Sequence, residues 1–218
     1  MTSAPPPRVV AMLRVLVGTA VVGILGYTYV IGIPLRGASL FDYFGYFTNL
    51  TSLLTAVVMI TTGALALGGR RAPAWLVSAR AVSVASMIVV ALVYNLVVPG
   101  TGSAPAWVSM TLHTALPLTV LIDWAFVPDR APQPWRDLWV VLPYPLLWLT
   151  VVLVRGATDG WVPYGFLLPE RGAFSLMVTV AALLATLLAS AAVVWSVSRL
   201  RIPRRMPASA DGQAVAQP

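Results

Sequence analysis

Six apolar segments, each long enough to form a membrane-spanning helix, dominate this chain of 218 residues. A helix needs about 20 mostly apolar residues to cross the hydrocarbon core of a bilayer. Because 59% of the residues are hydrophobic and only 10% are charged, the composition excludes a soluble globular domain. We therefore predict an all-α, polytopic membrane protein that forms a six-transmembrane-helix bundle. The six spans are expected at residues 9–33, 44–67, 76–98, 106–127, 138–154 and 172–197.

These spans form one domain between two tails. Residues 1–8 form a proline-rich N-terminal tail, and residues 9–199 contain the six-helix transmembrane domain. Residues 200–218 begin as a basic stub and continue as a polar stretch, a composition that predicts disorder. Within the fifth span, Pro143 and Pro145 are expected to bend the helix.

The distribution of arginine predicts the orientation of the bundle. All fourteen basic residues are arginine, and the formal net charge is +7. Six spans place both termini on one side together with most of the arginines, whereas only Arg36, Arg155 and Arg171 fall on the other side. The positive-inside rule therefore predicts cytoplasmic termini. Topology and anionic lipid explain these arginines better than nucleic acid does. The use of arginine alone as the basic residue, together with abundant Ala, Val and Gly, indicates a bacterial source. We therefore expect the protein in the bacterial plasma membrane.

The inventory of reactive side chains excludes several kinds of chemistry. The chain has no cysteine and a single histidine. Disulfides, thiolate catalysis and zinc–thiolate sites are therefore excluded. A bis-histidine haem or a histidine-rich metal site cannot form within one chain. We accordingly predict neither a metal nor a cofactor.

The only histidine, His113, lies in the middle of the fourth span. An ionisable side chain inside a membrane helix is costly and is by default a functional-site hypothesis. With an unperturbed pKa near 6.5, an imidazole can take up or release a proton at ordinary pH. The alternative interpretation is a buried histidine that is satisfied by a backbone carbonyl or a neighbouring hydroxyl.

Helix geometry places three polar residues in the same outer half of the bundle. At about 1.5 Å of rise per residue, Thr48 lies roughly 6 Å into the second span and His113 roughly 11 Å into the fourth. Asn95 lies close to the same surface. A hydroxyl nucleophile needs a base that accepts its proton, and the further hydroxyl candidates are Thr51, Ser52 and Thr111. For each one, a hydrogen bond to its own helix is the simpler interpretation.

Three charged residues share the inner half of the bundle. Arg14, Arg80 and Asp123 are expected at similar depths, within two turns of the interface. They could form a proton or ion relay. We favour a charge-paired inner rim, in which the arginines snorkel towards the headgroups.

Three stretches together resemble a known family. They are Tyr46-Phe47-Thr48-Asn49-Leu50, Pro105 to Pro117 with the pattern M-x-L-H-T-x-L-P, and Trp148 through Trp161-Val162-Pro163-Tyr164. In this order, the chain resembles the androgen-induced/FAR-17a-like family of integral membrane hydrolases, including its bacterial six-span relatives. The connection between the second and third spans is shorter than in the animal members.

The resemblance implies an activity and a catalytic pair. Characterised animal members are threonine hydrolases that cleave fatty acid esters of hydroxy fatty acids. The matching positions here are Thr48 as nucleophile and His113 as base. We expect the partner to be a membrane lipid or a fatty acyl ester. The residues expected to bind substrate or to support the pair are Asn49, Asn95, Trp148, Trp161 and Tyr164.

Some features leave other functions open. No carboxylate is obviously placed to orient His113, so Asn95, Asp159 and Glu170 are the candidates for that role. Trp161 and Tyr164 also suit an interfacial aromatic belt. A non-catalytic binding or transport protein, with His113 as a ligand contact or a proton-linked residue, is the main alternative to a hydrolase. A structural or assembly subunit is a third.

Overall fold

The computed structural model describes residues 5–200, and this part of the chain is helical without any strand. Pro5 to Pro7 are not helical, as the sequence predicts for the N-terminal tail. Met1 to Ala4 and the predicted disordered tail from residue 201 onwards lie outside the described residues. The helices are α1 (Arg8–Arg36), α2 (Leu40–Gly45), α3 (Phe47–Leu67), α4 (Ala74–Leu92), α5 (Ala106–Met110), α6 (Leu116–Phe126), α7 (Pro143–Thr158) and α8 (Ala173–Val197).

Five helical segments of the described chain are long and apolar enough to cross a membrane. They confirm an all-helical protein of the membrane type. They cover Arg8–Arg36, Phe47–Leu67, Ala74–Val97, Trp135–Thr158 and Ala173–Val197.

The fourth predicted span is helical but does not belong to this group of five. It runs from α5 through a π-helical turn, Thr111–Ala115, into α6 without a break. His113, Asp123 and several hydroxyl side chains make it less apolar than the other segments. The expectation of six spans therefore remains a prediction.

Prolines mark two of the helix boundaries, and only the first of these departs from the sequence prediction. Pro34 lies inside the last turn of α1, which continues to Arg36 and ends at Gly37 with a φ of 76°. The interruption expected at Pro143 and Pro145 is present at the start of α7, because the 3₁₀ segment Trp135–Val141 is followed by a bend at Leu142 and Pro143 is the first residue of α7. Proline is tolerated in the first helical turn because the N–H groups there have no partner within the helix.

Helix α4 is at the centre of the bundle and contacts α3, α6 and α8. Helix α1 packs along α3 through two glycines. A Cβ at Gly18 would lie 2.7 Å from the Ala56 carbonyl oxygen, and one at Gly63 would lie 2.6 Å from the Ala11 carbonyl oxygen. Small residues at such crossings let two membrane helices approach at backbone distance.

The end of the bundle where α1 begins and α8 ends, here called the terminal end, contains a buried ion quartet of Arg14, Arg80, Asp123 and Asp129. Arg14 donates from Nε to Asp123 at 2.9 Å and from Nη1 to Asp129 at 2.5 Å. Arg80 pairs with Asp129 at 2.9 Å and with Asp123 at 3.2 Å. Each side chain thus contacts both opposite charges, as expected for a charge-paired rim. The expectation that the arginines snorkel is wrong, because Arg14 and Arg80 are buried and point to the aspartates. Asp129, in the connection after α6, was not predicted.

Candidate functional site

The opposite end, here called the cavity end, contains a cavity of about 350 Å³. Valines and leucines of α4 and α8 form its apolar wall, and the loops after α4 and α7 contribute to its rim. Five of the seven residues predicted for the site line this one cavity, namely Thr48, Asn49, His113, Trp148 and Tyr164. The fold therefore brings together residues that are far apart in sequence.

The His113 ring is fixed in one orientation. Its Nδ1 lies 2.8 Å from the carbonyl oxygen of Ser109. Because a carbonyl only accepts, Nδ1 carries the proton and Nε2 holds a lone pair in the neutral ring. Tyr94 stacks on the imidazole, with ring centroids 3.7 Å apart and planes 14° from parallel. These contacts leave Nε2 as the basic atom of the site.

Two π-helical turns carry the residues of this stack. Tyr94 belongs to the turn Val93–Val97 that continues α4, and His113 belongs to the turn Thr111–Ala115. A π-helical turn inserts one extra residue per turn and redirects the side chains around it, and such turns are frequent at functional sites. The turn that carries His113 also packs against α3, the helix of Thr48.

Thr48 differs from the other threonines considered as nucleophiles. Thr111 donates to the carbonyl of Trp107 at 2.7 Å, the ordinary bond of a helical threonine to its own backbone. Thr51 shares a hydrogen bond of 2.7 Å with the Tyr144 hydroxyl. The Thr48 hydroxyl, in the first turn of α3, makes no such backbone bond within the described range, although its residue is only 9% exposed.

Tyr164 is the polar neighbour of Thr48. Its hydroxyl approaches the Thr48 side chain and the backbone of Phe47 and Thr48. Tyr164 lies in the loop after α7, and burial raises the pKa of its phenol above the ordinary value, against the opposing effect of the Thr48 contact. The phenol therefore stays protonated at neutral pH and can donate a hydrogen bond next to Thr48.

Two of the predicted supporting residues position the start of α3. Asn49 donates from Nδ2 to the carbonyl of Tyr43 at 2.9 Å. Trp148 donates from Nε1 to the carbonyl of Gly45 at 2.8 Å. Both bonds tie the α2–α3 junction, so that the first turn of α3 and its Thr48 are fixed against α7.

Asn95 and Trp161 lie outside the cavity. Asn95 donates to the backbone carbonyl of His113 at 3.2 Å and does not contact the ring, so the expectation that it orients the imidazole is wrong. It is exposed, and it does not line the cavity. Trp161 lines a second, smaller cavity of about 210 Å³ instead. It packs edge-on against Tyr46 and sits over Gly45, where a Cβ would lie 2.3 Å from the indole.

Neither acid of the loop after α7 orients His113. Asp159 accepts two hydrogen bonds from Arg155, at 2.9 and 2.8 Å. Glu170 is exposed. The orienting group is the Ser109 carbonyl, which belongs to the same helix one turn earlier. Within residues 5–200, no group of three or more acidic, His or Cys side chains could hold a metal ion.

Sequence reasoning missed two residues of this end, Tyr94 and Arg36. Tyr94 precedes Asn95 in an apolar segment, and its role could be recognised only by knowing which side of the helix points to the cavity. Arg36 was counted as a topology signal, but it lines both cavities.

Comparison with protein-family models gives no match for this chain, and comparisons with curated proteins and with solved structures give no match either. The resemblance described above therefore remains a prediction. Any function has to be argued from the geometry of the cavity.

Proposed function

We propose that the protein is an intramembrane lipid ester hydrolase that uses Thr48 as nucleophile and His113 as general base. The observation that carries this proposal is the joint placement of the two residues. They line one apolar cavity, the Thr48 hydroxyl is not bonded to its own helix, and the hydrogen bond at His113 Nδ1 leaves Nε2 basic. A hydroxyl and a base beside an apolar space suit an acyl ester better than a polar substrate.

The chemistry proceeds in two steps. Thr48 Oγ1 forms a bond to the ester carbonyl carbon while His113 Nε2 accepts its proton. Collapse breaks the bond to the alkoxy oxygen, and His113 returns the proton to the leaving alcohol. Water then attacks the acyl-threonine carbonyl while His113 Nε2 accepts a proton from it. As the bond between the acyl carbon and Thr48 Oγ1 breaks, His113 returns this proton to Oγ1, which releases the fatty acid and restores both residues.

Tyr164 is the proposed donor to the developing oxyanion. Its phenol is protonated and lies next to the Thr48 side chain, so it can donate to an oxygen that becomes negative when Thr48 attacks a carbonyl. A donor that is already oriented in a site of low polarity stabilises that charge without reorganisation. Fatty acid esters of hydroxy fatty acids are the proposed substrates.

We further propose six spans in the bacterial plasma membrane, with both termini in the cytoplasm. Because the chain has no cysteine, single cysteines at exposed positions test this orientation directly. An impermeant maleimide added to intact cells should label Glu170→Cys, at the cavity end, and not Ala131→Cys, at the terminal end. The reverse pattern would invert the proposed topology.

A second candidate function is favoured by a different observation. Within the described chain, no carboxylate contacts the His113 ring, whereas Tyr94 stacks on it closely. A binding or transport protein that uses His113 as a ligand contact or a proton-linked residue is consistent with that environment.

Labelling with a fluorophosphonate probe distinguishes the two functions. Such a probe phosphonylates an activated hydroxyl and releases fluoride. Purified wild-type protein in detergent should be labelled, and Thr48→Ala and His113→Ala should each lose the label while keeping the circular dichroism of the wild type. The matched control is Thr111→Ala, because the Thr111 hydroxyl is bonded to its own helix.

Each remaining outcome is informative. Labelling of Thr48→Ala at the wild-type level would exclude Thr48 as the nucleophile. An unlabelled, folded wild type that binds a fatty acyl ligand would favour the binding protein. Hydrolysis of ester substrates by the wild type and not by either variant would complete the case for a hydrolase.

A further inference from the structure

Arg36 is an exposed cation at the place where the two cavities of the cavity end adjoin. It is the last residue of α1, and it lines both cavities together with Tyr43 and Tyr46. The nearby Arg155, in contrast, pairs with Asp42 at 2.7 Å and with Asp159 at 2.8 Å. Among residues 5–200, no carboxylate lies within ion-pair distance of the Arg36 guanidinium.

The Arg36 side chain folds back along its own helix. A Cβ placed on Gly32 would lie 3.3 Å from Arg36 Nη2 and 3.5 Å from its Nε. The guanidinium therefore lies against the backbone of the preceding turn, where a glycine leaves room for it. A side chain that only snorkelled would extend towards the headgroups, whereas this one lies along the cavities.

The charges around Arg36 favour an anionic ligand over a second protein group. Asp42 lines the smaller cavity as well, but its carboxylate accepts from Arg155 Nη1 at 2.7 Å. Arg36 and the neutral His113 are the basic side chains that line the larger cavity. A lone guanidinium presents a planar pair of donors that matches the two oxygens of a carboxylate.

We propose that Arg36 is a specificity-determining residue that binds a carboxylate carried by the lipid, at the end remote from the scissile ester. This inference rests on the proposed hydrolase function. The acyl part of the substrate occupies the apolar cavity beside Thr48 and His113, and the carboxylate lies where the two cavities adjoin. Arg36 takes no part in the bond-breaking steps and does not contact the reacting atoms.

The test compares two esters that share the same acyl group and differ in the alcohol. In one, the alcohol ends in a carboxylate, and in the other it ends in the neutral primary carboxamide. The ratio of kcat/KM values for these two esters is measured for full-length wild-type protein in lipid nanodiscs, and for Arg36→Gln, Arg36→Lys and Arg171→Gln. Arg171 is the matched control, because it is exposed at the same end and does not line either cavity.

Loss of a charge-assisted hydrogen bond predicts a selective effect. We expect wild-type protein to prefer the carboxylate ester by about tenfold or more. In Arg36→Gln this preference should disappear, mainly through a higher KM for the charged ester, and the loss in kcat/KM for the carboxamide should be much smaller than the loss for the carboxylate ester. Arg36→Lys should restore part of the preference, and Arg171→Gln should retain all of it.

Two results would overturn the proposal. One is an equal ratio of the two kcat/KM values in wild-type protein and in Arg36→Gln. The other is an equal loss on both esters, which would assign Arg36 a structural role.

A binding measurement keeps this inference separate from the hydrolase proposal. If the wild type hydrolyses neither ester, binding of a brominated fatty acid and of its carboxamide is measured by quenching of tryptophan fluorescence, since Trp148 lines the cavity. A preference for the acid that Arg36→Gln abolishes would support the carboxylate site without catalysis. Equal binding of acid and carboxamide to the wild type would refute it.

Discussion

Replacement of Asp129 by asparagine should destabilise the bundle more than any single surface change. Asp129 accepts hydrogen bonds from Arg14 at 2.5 Å and from Arg80 at 2.9 Å. Its side chain is 6% exposed, and the two arginines are 2% and 4% exposed. Asp129→Asn keeps the shape of the side chain but leaves two buried guanidiniums with only Asp123 between them.

The expected loss follows from the burial of the quartet. Removal of one partner from a buried ion pair costs about 3–5 kcal/mol, because the remaining charge is uncompensated. Asparagine still offers one acceptor oxygen, so we expect the free energy of unfolding to fall by about 3 kcal/mol, the lower end of this range. The matched control is Asp137→Asn, whose partner Arg136 is 3.7 Å away and whose side chain is 44% exposed. An exposed pair of this kind contributes at most about 1 kcal/mol.

Equilibrium unfolding in mixed micelles of increasing SDS content measures both variants. Arg80→Met combined with Asp129→Asn provides the decisive comparison, because it leaves the neutral pair of Arg14 and Asp123 at 2.9 Å. The double variant should be more stable than Asp129→Asn alone. If Asp129→Asn lost no more stability than Asp137→Asn, or if the two quartet substitutions were additive, mutual neutralisation would not be what stabilises this end.

The same quartet predicts a pH dependence. Burial on its own would raise the pKa of Asp129, but Arg80 and Arg14 hold that pKa below its ordinary value. A depressed carboxyl pKa stabilises the folded state above the unfolded pKa of about 3.9, and this contribution is lost as the pH falls through the folded value. Unfolding of the wild type should therefore become easier below about pH 4, and Asp129→Asn should show a weaker dependence in the same titration.

Two pairs of matched substitutions test the packing, each read as a change in thermal midpoint in detergent. Thr51→Val should lower the free energy of unfolding by about 1–2 kcal/mol, because the Tyr144 hydroxyl loses its hydrogen-bond partner. Thr55→Val should be at least as stable as the wild type, because the Thr55 hydroxyl is buried without a partner in the described structure. Gly18→Ala should destabilise the bundle, because the added Cβ would lie 2.7 Å from a carbonyl oxygen of α3. Gly23→Ala should stabilise it by up to about 1 kcal/mol, because a Cβ there meets nothing within 4 Å and alanine has the higher helix propensity. Equal midpoints within either pair would contradict the corresponding contact.

The helices were predictable because membrane spans are specified by length and hydropathy, which are local properties of a sequence. Their ends were less predictable. The first span was expected to end at residue 33, but α1 continues through Pro34 to Arg36, because a proline there removes only one backbone donor near the helix end. The π-helical turns at Val93–Val97 and Thr111–Ala115 have no signal in the sequence that we could identify.

The depth of the candidate site residues in the bundle could be predicted from the sequence, but the direction in which each side chain points could not. Rise per residue placed Thr48, Asn95 and His113 at one end of the bundle, and the structure directs Asn95 away from the cavity. A rotation of one residue on a helix changes the facing by about 100°, so depth alone could not separate these three. The missed Asp129 lies in a proline-rich connection, where the sequence gives no periodicity to place it.

The two ends of the bundle differ in what their charges leave available. At the terminal end, two arginines and two aspartates neutralise one another's charge, although Arg14 Nη2, Arg80 Nε and Arg80 Nη2 are buried without a hydrogen bond in the described chain. At the cavity end, the Arg36 guanidinium has no ion-pair partner in the described chain and His113 Nε2 remains basic. Arg36 is exposed and His113 is half-buried, so neither carries the cost of a fully buried, unpaired polar group. The cavity end therefore differs from the terminal end because a cation and a basic nitrogen line one cavity without being used by an ion pair or a carboxylate of the described chain, which leaves both available to a ligand.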